Sequence, residues 1–150
     1  MAKTGYQVPA QGVYTPVVCF FNEDESIDYE SISKHVQRLL ASGVTGFVVH
    51  GSNGEATHLS AQERGLIIRH IRTLINETGS SASIIAGCSA NSVRQTVELI
   101  QEAASAGADF ALVLPPNYWA AAMSKPVIKS FFQDVSLSPF PKRRAANLSM

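Results

Sequence analysis

Residues 47–55 read Phe-Val-Val-His-Gly-Ser-Asn-Gly-Glu, and this stretch decides the fold. Its apolar start predicts a buried strand that runs directly into a polar turn. Gly51 and Gly54 frame the turn, where glycine allows positive φ or a close approach of the backbone to a ligand. Between them, the hydroxyl of Ser52 and the amide of Asn53 are suited to holding a small carboxylate. The stretch therefore predicts a binding turn at the end of a strand.

A helix signal follows the turn. Ser60 can cap a helix, and Glu63 three residues later completes the capping-box pattern. Strand, polar turn and helix in this order predict the active-site corner of an α/β protein. Glu55 lies between the turn and the helix. We expect it to have a structural role with Gly54, its carboxylate accepting hydrogen bonds from backbone N–H groups of the turn.

The strand-then-helix pattern occurs four times along the sequence. The predicted strands are one within residues 12–21, containing the run VVCFF, and others at 44–50, 83–87 and 109–114. The predicted helices are capped by Asp28, by Ser60, by Asn91 or Ser92, and by Ser124. Such alternation predicts a parallel sheet with right-handed crossovers. We divide the sequence into an N-terminal extension (1–11), a βα region (12–135) and an irregular basic tail (136–150).

Helical spacing predicts which side chains of each helix face the core. The predicted inward residues are Ile32, Val36, Leu39 and Leu40 on the first helix, Leu66, Ile67, His70, Ile71, Leu74 and Ile75 on the second, Val97, Ile100 and Ala104 on the third, and Val127, Ile128, Phe131 and Phe132 on the fourth.

Composition excludes several classes of function. The formal net charge is zero, so the protein has no basic field for nucleic acid or an anionic membrane. Its two cysteines, Cys19 and Cys88, lack metal-ligand spacing and favour a reducing compartment, and the histidines form no metal constellation. We expect no metal or organic cofactor and a cytoplasmic location, with the mitochondrion as the alternative. His50 is expected to be a satisfied core residue rather than a base.

Three segments together carry a family resemblance: GSNGE at 51–55, AGCSANS at 86–92 and AGADFALVLPPNYW at 106–119. With the βα rhythm, they resemble the dihydrodipicolinate synthase / N-acetylneuraminate lyase family of class I aldolases. The GSNGE variant is most similar to the 4-hydroxy-2-oxoglutarate aldolase branch. The resemblance extends over 12–135 and implies a partial (β/α)₈ TIM barrel, of which these are the first four βα units, followed by the irregular tail.

The resemblance implies a mechanism. A lysine at the end of the sixth strand attacks the keto group of pyruvate or another 2-oxo acid, and the resulting imine accepts electrons as a C–C bond forms or breaks. Gly51, Ser52 and Asn53 are implied to bind the substrate carboxylate. Tyr118 is implied to be catalytic, completing a proton relay across the interface of a homo-oligomer.

The five lysines of the sequence are Lys3, Lys34, Lys125, Lys129 and Lys142, and none ends an apolar strand. We therefore expect a lyase-family protein truncated before its catalytic lysine and inactive on its own. The alternative is a non-catalytic half-barrel that associates with a full-length homologue or with itself. Open sheet edges would make it a marginal monomer, a molten species or a dimer. A phosphate-binding flavodoxin-like domain is disfavoured, because the turn at 21–25 is acidic and lacks glycine.

Overall fold

A single four-stranded parallel sheet organises the protein. The computed structural model describes residues 8–138. The strands are β1 (Tyr14–Pro16), β2 (Gly46–Val49), β3 (Ser83–Gly87) and β4 (Phe110–Leu112). They pair in sequence order, β1-β2-β3-β4, and every pairing is parallel. This order excludes a flavodoxin-like sheet, in which the first strand lies between the second and third.

One helix follows each strand. The helices are α1 (Tyr29–Ala41), α2 (Ala61–Glu77), α3 (Val93–Ala106) and α4 (Lys125–Leu137). The predicted caps are confirmed at Asp28, which accepts from the backbone N–H of Ser31, and at Ser60, which forms the capping box with Glu63. Satisfying these free N–H groups fixes where a helix can start.

The helices form one layer on one face of the sheet. Each contacts the next along the sequence, α1 with α2, α2 with α3, and α3 with α4. Strand residues alternate accordingly, so that Phe47 and Ile84 are fully buried beneath the helices, whereas Val48 and Ile85 on the opposite face are half-buried. Helices on one face of a parallel sheet are the arrangement of a (β/α)₈ barrel. The α/β fold, as the first four βα units of a partial barrel, is confirmed.

The first strand lies within the predicted range, 12–21, and the apolar run VVCFF follows it. β1 is the short segment before VVCFF, and Val17 extends its ladder by donating its N–H to the Val48 carbonyl over 2.9 Å. Phe21 instead forms an isolated antiparallel bridge with Ile27. The turn between them, in which Asn22 N–H donates to the Ser26 carbonyl over 2.8 Å, folds the run back on itself.

The predicted core faces are partly wrong. On α2, Leu66 was predicted to face the core but is 41% exposed, whereas Ile68 is 2% exposed. The buried face of this helix is centred one residue later in the sequence than predicted. On α3, Ala104 is exposed, and the face against the sheet comprises Thr96, Leu99, Ala103 and Ala106. On α4, Val127 and Phe132 are exposed, and the main helix contact of α4 is with α3.

The two ends of the protein are described only in part. α4 continues to Leu137, two residues into the predicted tail. Residues 1–7 and 139–150, which include most of the predicted extension and tail, lie outside the described range. Between 8 and 138, none of the helices combines the length and the apolar character needed to cross a bilayer.

Candidate active site at the carboxyl ends of the strands

The polar turn after β2 has a backbone different from that expected. The left-handed residues are His50 (φ 61°) and Glu55 (φ 51°), not the glycines. Gly51 is extended at φ −77°, and residues Ser52–Gly54 form a single 3₁₀ turn. Of the two possibilities that the sequence left open for Gly51 and Gly54, positive φ is therefore excluded. The chain direction changes instead at His50 and Glu55, which flank the two glycines. Both are non-glycine residues in the unfavourable left-handed conformation.

The two framing glycines are not equivalent. A Cβ on Gly54 would lie 2.8 Å from the carbonyl oxygen of Val17, so a side chain there would displace backbone. A Cβ on Gly51 would meet only the Val48 side chain, at 3.9 Å. Gly54 is thus required because the turn lies close to the backbone that follows β1. The close approach is to protein rather than to a ligand.

A cleft of about 560 Å³ opens beside this turn, at the carboxyl ends of β2, β3 and β4. Its polar lining consists of His50, Ser52, Thr57, Arg64, Ser89, Asn91 and Asn117. Gly51 and Ser52, two of the predicted substrate-binding residues, line it directly. In parallel α/β proteins, this edge of the sheet is where loops from different strands converge on a ligand. The cleft therefore has the size of a small-molecule site, with a mainly apolar surface and a few polar groups.

Asn53 and Glu55 lie outside the lining of the cleft. Both are exposed, and the Glu55 carboxylate contacts the imidazole of His58 at 3.1 Å. Two N–H groups of the turn donate to its own backbone, Gly54 N–H to the Gly51 carbonyl and Glu55 N–H to the Ser52 carbonyl. The role expected for the Glu55 carboxylate is thus filled by the 3₁₀ hydrogen bonds.

Tyr118 is exposed to solvent and does not line the cleft. Its side chain is 74% exposed and packs edge-on against Trp119, with ring centroids 5.1 Å apart. The segment is held by Asn91, whose Oδ1 accepts from the backbone N–H groups of Asn117 and Tyr118 at 3.2 and 3.3 Å. Within the described residues, the structure brings Asn117, but not the Tyr118 ring, to the cleft.

His50 is buried without hydrogen bonds. It is 4% exposed, and neither ring nitrogen has a partner in the described structure. Burial, and secondarily the charge of Arg64, lower its pKa from 6.5 to about 3. The expected satisfied core histidine is therefore buried but not satisfied. The imidazole is neutral at physiological pH and keeps one N–H donor and one acceptor at the wall of the cleft.

His50 also explains a glycine on the next strand. A Cβ on Gly87 would lie 2.0 Å from the His50 carbonyl oxygen, so only glycine lets the ends of β2 and β3 meet. The carbonyl of Gly87 accepts a hydrogen bond from the guanidinium of Arg64. Arg64 is partly buried, and burial lowers its pKa. It remains charged, because an arginine does not lose its proton in a protein, and it gives this wall a positive charge.

Sequence reasoning missed most of the cleft. Ser89 and Asn91 could have been predicted from the sequence, because they follow β3 as Ser52 follows β2. The carboxyl ends of parallel strands lie at the same edge of the sheet, so residues that follow neighbouring strands meet there. Arg64 had no such signal, since it lies on a helix and reaches the cleft only through packing. Cys88 is fully buried, and burial raises its pKa to about 11, which leaves an unreactive thiol.

No described lysine lines the cleft. Lys34 pairs with Glu30 on the surface of α1, and Lys125 and Lys129 lie exposed on α4. Lys3 and Lys142 fall outside the described residues. The structured region from 8 to 138 also contains no cluster of three or more His, Cys, Asp or Glu side chains that could hold a metal ion.

Comparison with known proteins identifies relatives of this protein. The dihydrodipicolinate synthetase family matches residues 9–140. A relative from Emericella nidulans named "Probable 4-hydroxy-2-oxoglutarate aldolase, mitochondrial" is 44% identical over 132 residues, which are 87% of this chain and 43% of the relative. An L-threo-3-deoxy-hexylosonate aldolase from Aspergillus niger is 42% identical over 134 residues, covering 87% of this chain and 40% of its own length.

Solved structures give the same family and fold. A dihydrodipicolinate synthase family protein from Coccidioides immitis superimposes with a TM-score of 0.79 at 43% identity, covering 89% of this chain and 43% of that one. A prophage protein of the family from E. coli K12, solved in complex with pyruvate, gives 0.74 at 30% identity, covering 83% of this chain and 40% of that one. The 150 residues thus span less than half the length of the relatives they match.

Proposed function

Because this chain belongs to the dihydrodipicolinate synthetase family, we propose that it supplies the carboxylate-binding turn of a class I aldolase or lyase acting on pyruvate or another 2-oxo acid. The observation that carries the proposal is the 3₁₀ turn at Ser52–Gly54. It places the Ser52 hydroxyl in the lining of a cleft whose wall carries the charge of Arg64, and the exposed amide of Asn53 lies next to Ser52 on the same turn. The E. coli relative in complex with pyruvate supports the substrate class.

The turn suits a carboxylate for a physical reason. The Ser52 hydroxyl can donate to one carboxylate oxygen and the Asn53 amide to the other, and hydrogen bonds to an ionised group are the stronger kind. Both side chains lie on a turn braced by its own backbone and by Gly54 beneath Val17. Such bracing holds the donors in place before the ligand arrives, which reduces the entropy cost of binding.

The chemical step requires an amine that these residues do not place in the cleft. In the proposed mechanism, a lysine amine forms an imine with the keto carbon of the bound 2-oxo acid. The resemblance puts this lysine after the sixth strand, and the described structure contains four strands. We therefore propose that these 150 residues bind the substrate carboxylate without forming the imine.

Tyr118 is proposed to act in a second subunit. Its exposed ring lies outside the cleft of its own subunit, and Asn91 fixes its backbone. A side chain so placed is available to a neighbouring cleft, as the proton relay across a homo-oligomer interface requires. Tyr118→Phe would remove the hydroxyl while keeping the packing against Trp119.

Borohydride trapping tests the assignment of roles. The 150-residue protein is incubated with pyruvate, reduced with sodium borohydride and analysed by intact mass. We expect no covalent adduct, because each described lysine is exposed on a helix, where burial cannot lower its pKa for imine formation. A stoichiometric adduct on any lysine would contradict this assignment. A full-length family aldolase, treated in parallel, shows that the trapping conditions work.

A second candidate, a non-catalytic half-barrel that associates with another protein, is favoured by one observation. Leu112 and Leu114 near the free edge of β4 are 41% and 52% exposed, and Val48 and Ile85 lie on the uncovered face. Such a face and its unpaired edges favour pairing with another polypeptide. Size-exclusion chromatography with light scattering tests this candidate. A dimer that dissociates in Leu112→Glu supports it, and a stable monomer with native near-UV circular dichroism excludes association of the protein with itself.

We propose the mitochondrion as the compartment, rather than the cytoplasm favoured by composition. The support is the mitochondrial designation of the Emericella nidulans relative. Subcellular fractionation with antibodies to this protein tests the proposal, and recovery in the cytosolic fraction would reject it.

A further inference from the structure

We propose that Asn53 is a site of spontaneous deamidation, and that the modification abolishes carboxylate binding by the turn. Asn53 is followed by Gly54, and no other asparagine in the sequence precedes a glycine. The other five are followed by larger residues: Asn22 and Asn76 by Glu, Asn91 by Ser, Asn117 by Tyr and Asn147 by Leu. The modification itself stands on this geometry, whereas its effect on binding rests on the proposed function.

The chemistry needs only water. The backbone nitrogen of Gly54 attacks the amide carbon of the Asn53 side chain and forms a new C–N bond, while the bond from that carbon to the amide nitrogen breaks and ammonia leaves. The product is a five-membered succinimide. Water then opens either of its two carbonyl–nitrogen bonds and gives aspartate or isoaspartate. The net reaction consumes one water and releases one ammonia without oxidation or reduction. Glycine favours the attack because no Cβ crowds its nitrogen.

The surroundings of Asn53 expose the reacting amide. The residue is exposed, and the described structure gives its side chain no hydrogen bond. The opposing feature is Gly54, which is buried and whose N–H donates to the Gly51 carbonyl at 3.0 Å. The attack therefore requires the 3₁₀ turn to open. Opening exposes Gly54 and breaks the hydrogen bonds of the turn, but it also releases the unfavourable left-handed conformation of Glu55, φ 51°.

The rate should therefore follow the opening of the turn. The folded protein is expected to deamidate at Asn53 more slowly than the same protein in urea, where no turn restrains Gly54. A carboxylate bound by Ser52 and Asn53 would hold the turn closed. Saturating pyruvate should then slow the reaction further.

The consequence for binding follows from charge. The neutral amide becomes a carboxylate, and the formal net charge of the protein moves from zero to one negative unit. The new charge lies where the substrate carboxylate would bind. Two like charges about 4 Å apart repel each other, and this repulsion is expected to weaken affinity at least about tenfold. Isoaspartate also lengthens the backbone by one atom, which displaces Gly54 from its position against Val17.

The test is ageing of the folded 150-residue protein at mildly alkaline pH. Samples are taken over time, digested at acidic pH and analysed by peptide mass and isoaspartate detection. Parallel samples contain urea or saturating pyruvate. Asn53→Thr is the control, because it lacks the amide, and isoelectric focusing of both proteins reports the charge change. Pyruvate affinity is measured on fresh and aged protein.

We expect conversion at Asn53, slower than in urea, with an added acidic band in the wild type that Asn53→Thr does not develop. The inference is overturned if Asn53 stays intact in the folded protein while the urea sample converts. It is also overturned if Asn76 or Asn91 convert equally fast. Conversion at Asn53 with no effect of pyruvate and no loss of affinity would leave the modification established and reject the proposed carboxylate-binding role.

Discussion

The unpaired histidine behind the cleft makes the fold sensitive to acid. His50 has a pKa of about 3 in the folded protein because it is buried, against 6.5 when solvated. Between these values the unfolded protein binds a proton that the folded protein does not. Stability therefore falls as pH falls through this window and is unaffected by His50 above it. The full difference corresponds to about 5 kcal/mol, of which about 2 kcal/mol is lost by about pH 5.

The perturbation that isolates this effect is His50→Asn. Asparagine tolerates the left-handed backbone at φ 61° better than other non-glycine residues and does not titrate. Free energies of unfolding are measured by urea denaturation near pH 7.5 and near pH 5. We expect the wild type to lose about 2 kcal/mol more than the variant over this interval.

Two results decide whether His50 is the cause. His58→Asn is the matched control, because it removes an exposed imidazole and leaves His50 in place, so it should keep the acid sensitivity of the wild type. If His50→Asn loses as much stability on acidification as the wild type, the imidazole is not held neutral in the folded protein. The two ring nitrogens of His50 would then have hydrogen-bond partners in solution.

Two further predictions test the packing of the fold, one at the turn after β2 and one at the opposite edge of the sheet. Gly54→Ala places a Cβ 2.8 Å from the Val17 carbonyl oxygen and should lower the free energy of unfolding by about 1–3 kcal/mol. Gly51→Ala, whose Cβ would meet only the Val48 side chain at 3.9 Å, should change it little. Equal effects of the two variants in urea denaturation would refute the close approach of Gly54 to Val17. Asp109→Asn removes the carboxylate that pairs with Arg72 of α2 just before β4 and should cost about 3 kcal/mol. A thermal midpoint unchanged from wild type would contradict it.

The fold was largely predictable because its signals are local. Ser60 with Glu63 marks the start of α2, and the buried strand at Ser83–Gly87 is bounded by the residues expected. The first strand lies within the predicted range, 12–21, but its bounds could not be read from the apolar run, because VVCFF is more apolar than β1 itself. Its position depends on pairing with β2, which a local pattern does not contain.

The candidate site was predictable only in outline. Ser52 could be identified, since it follows a strand, but the left-handed backbone of His50 and Glu55 could not. At His50 that conformation depends on Gly87, a residue distant in sequence that lets the end of β3 approach the His50 carbonyl. Arg64 reaches the cleft only through packing of α2 on the sheet. Features set by tertiary contact therefore escaped sequence reasoning.

The most direct test of carboxylate binding by the turn is a titration of the isotope-labelled protein with pyruvate, followed by nuclear magnetic resonance. We predict saturable shifts of the backbone amides of Ser52, Asn53 and Gly54, which Ser52→Ala reduces and which acetone, a ketone without a carboxylate, does not produce. Shifts centred away from this turn, or equal shifts with acetone, would show that the turn does not bind the carboxylate.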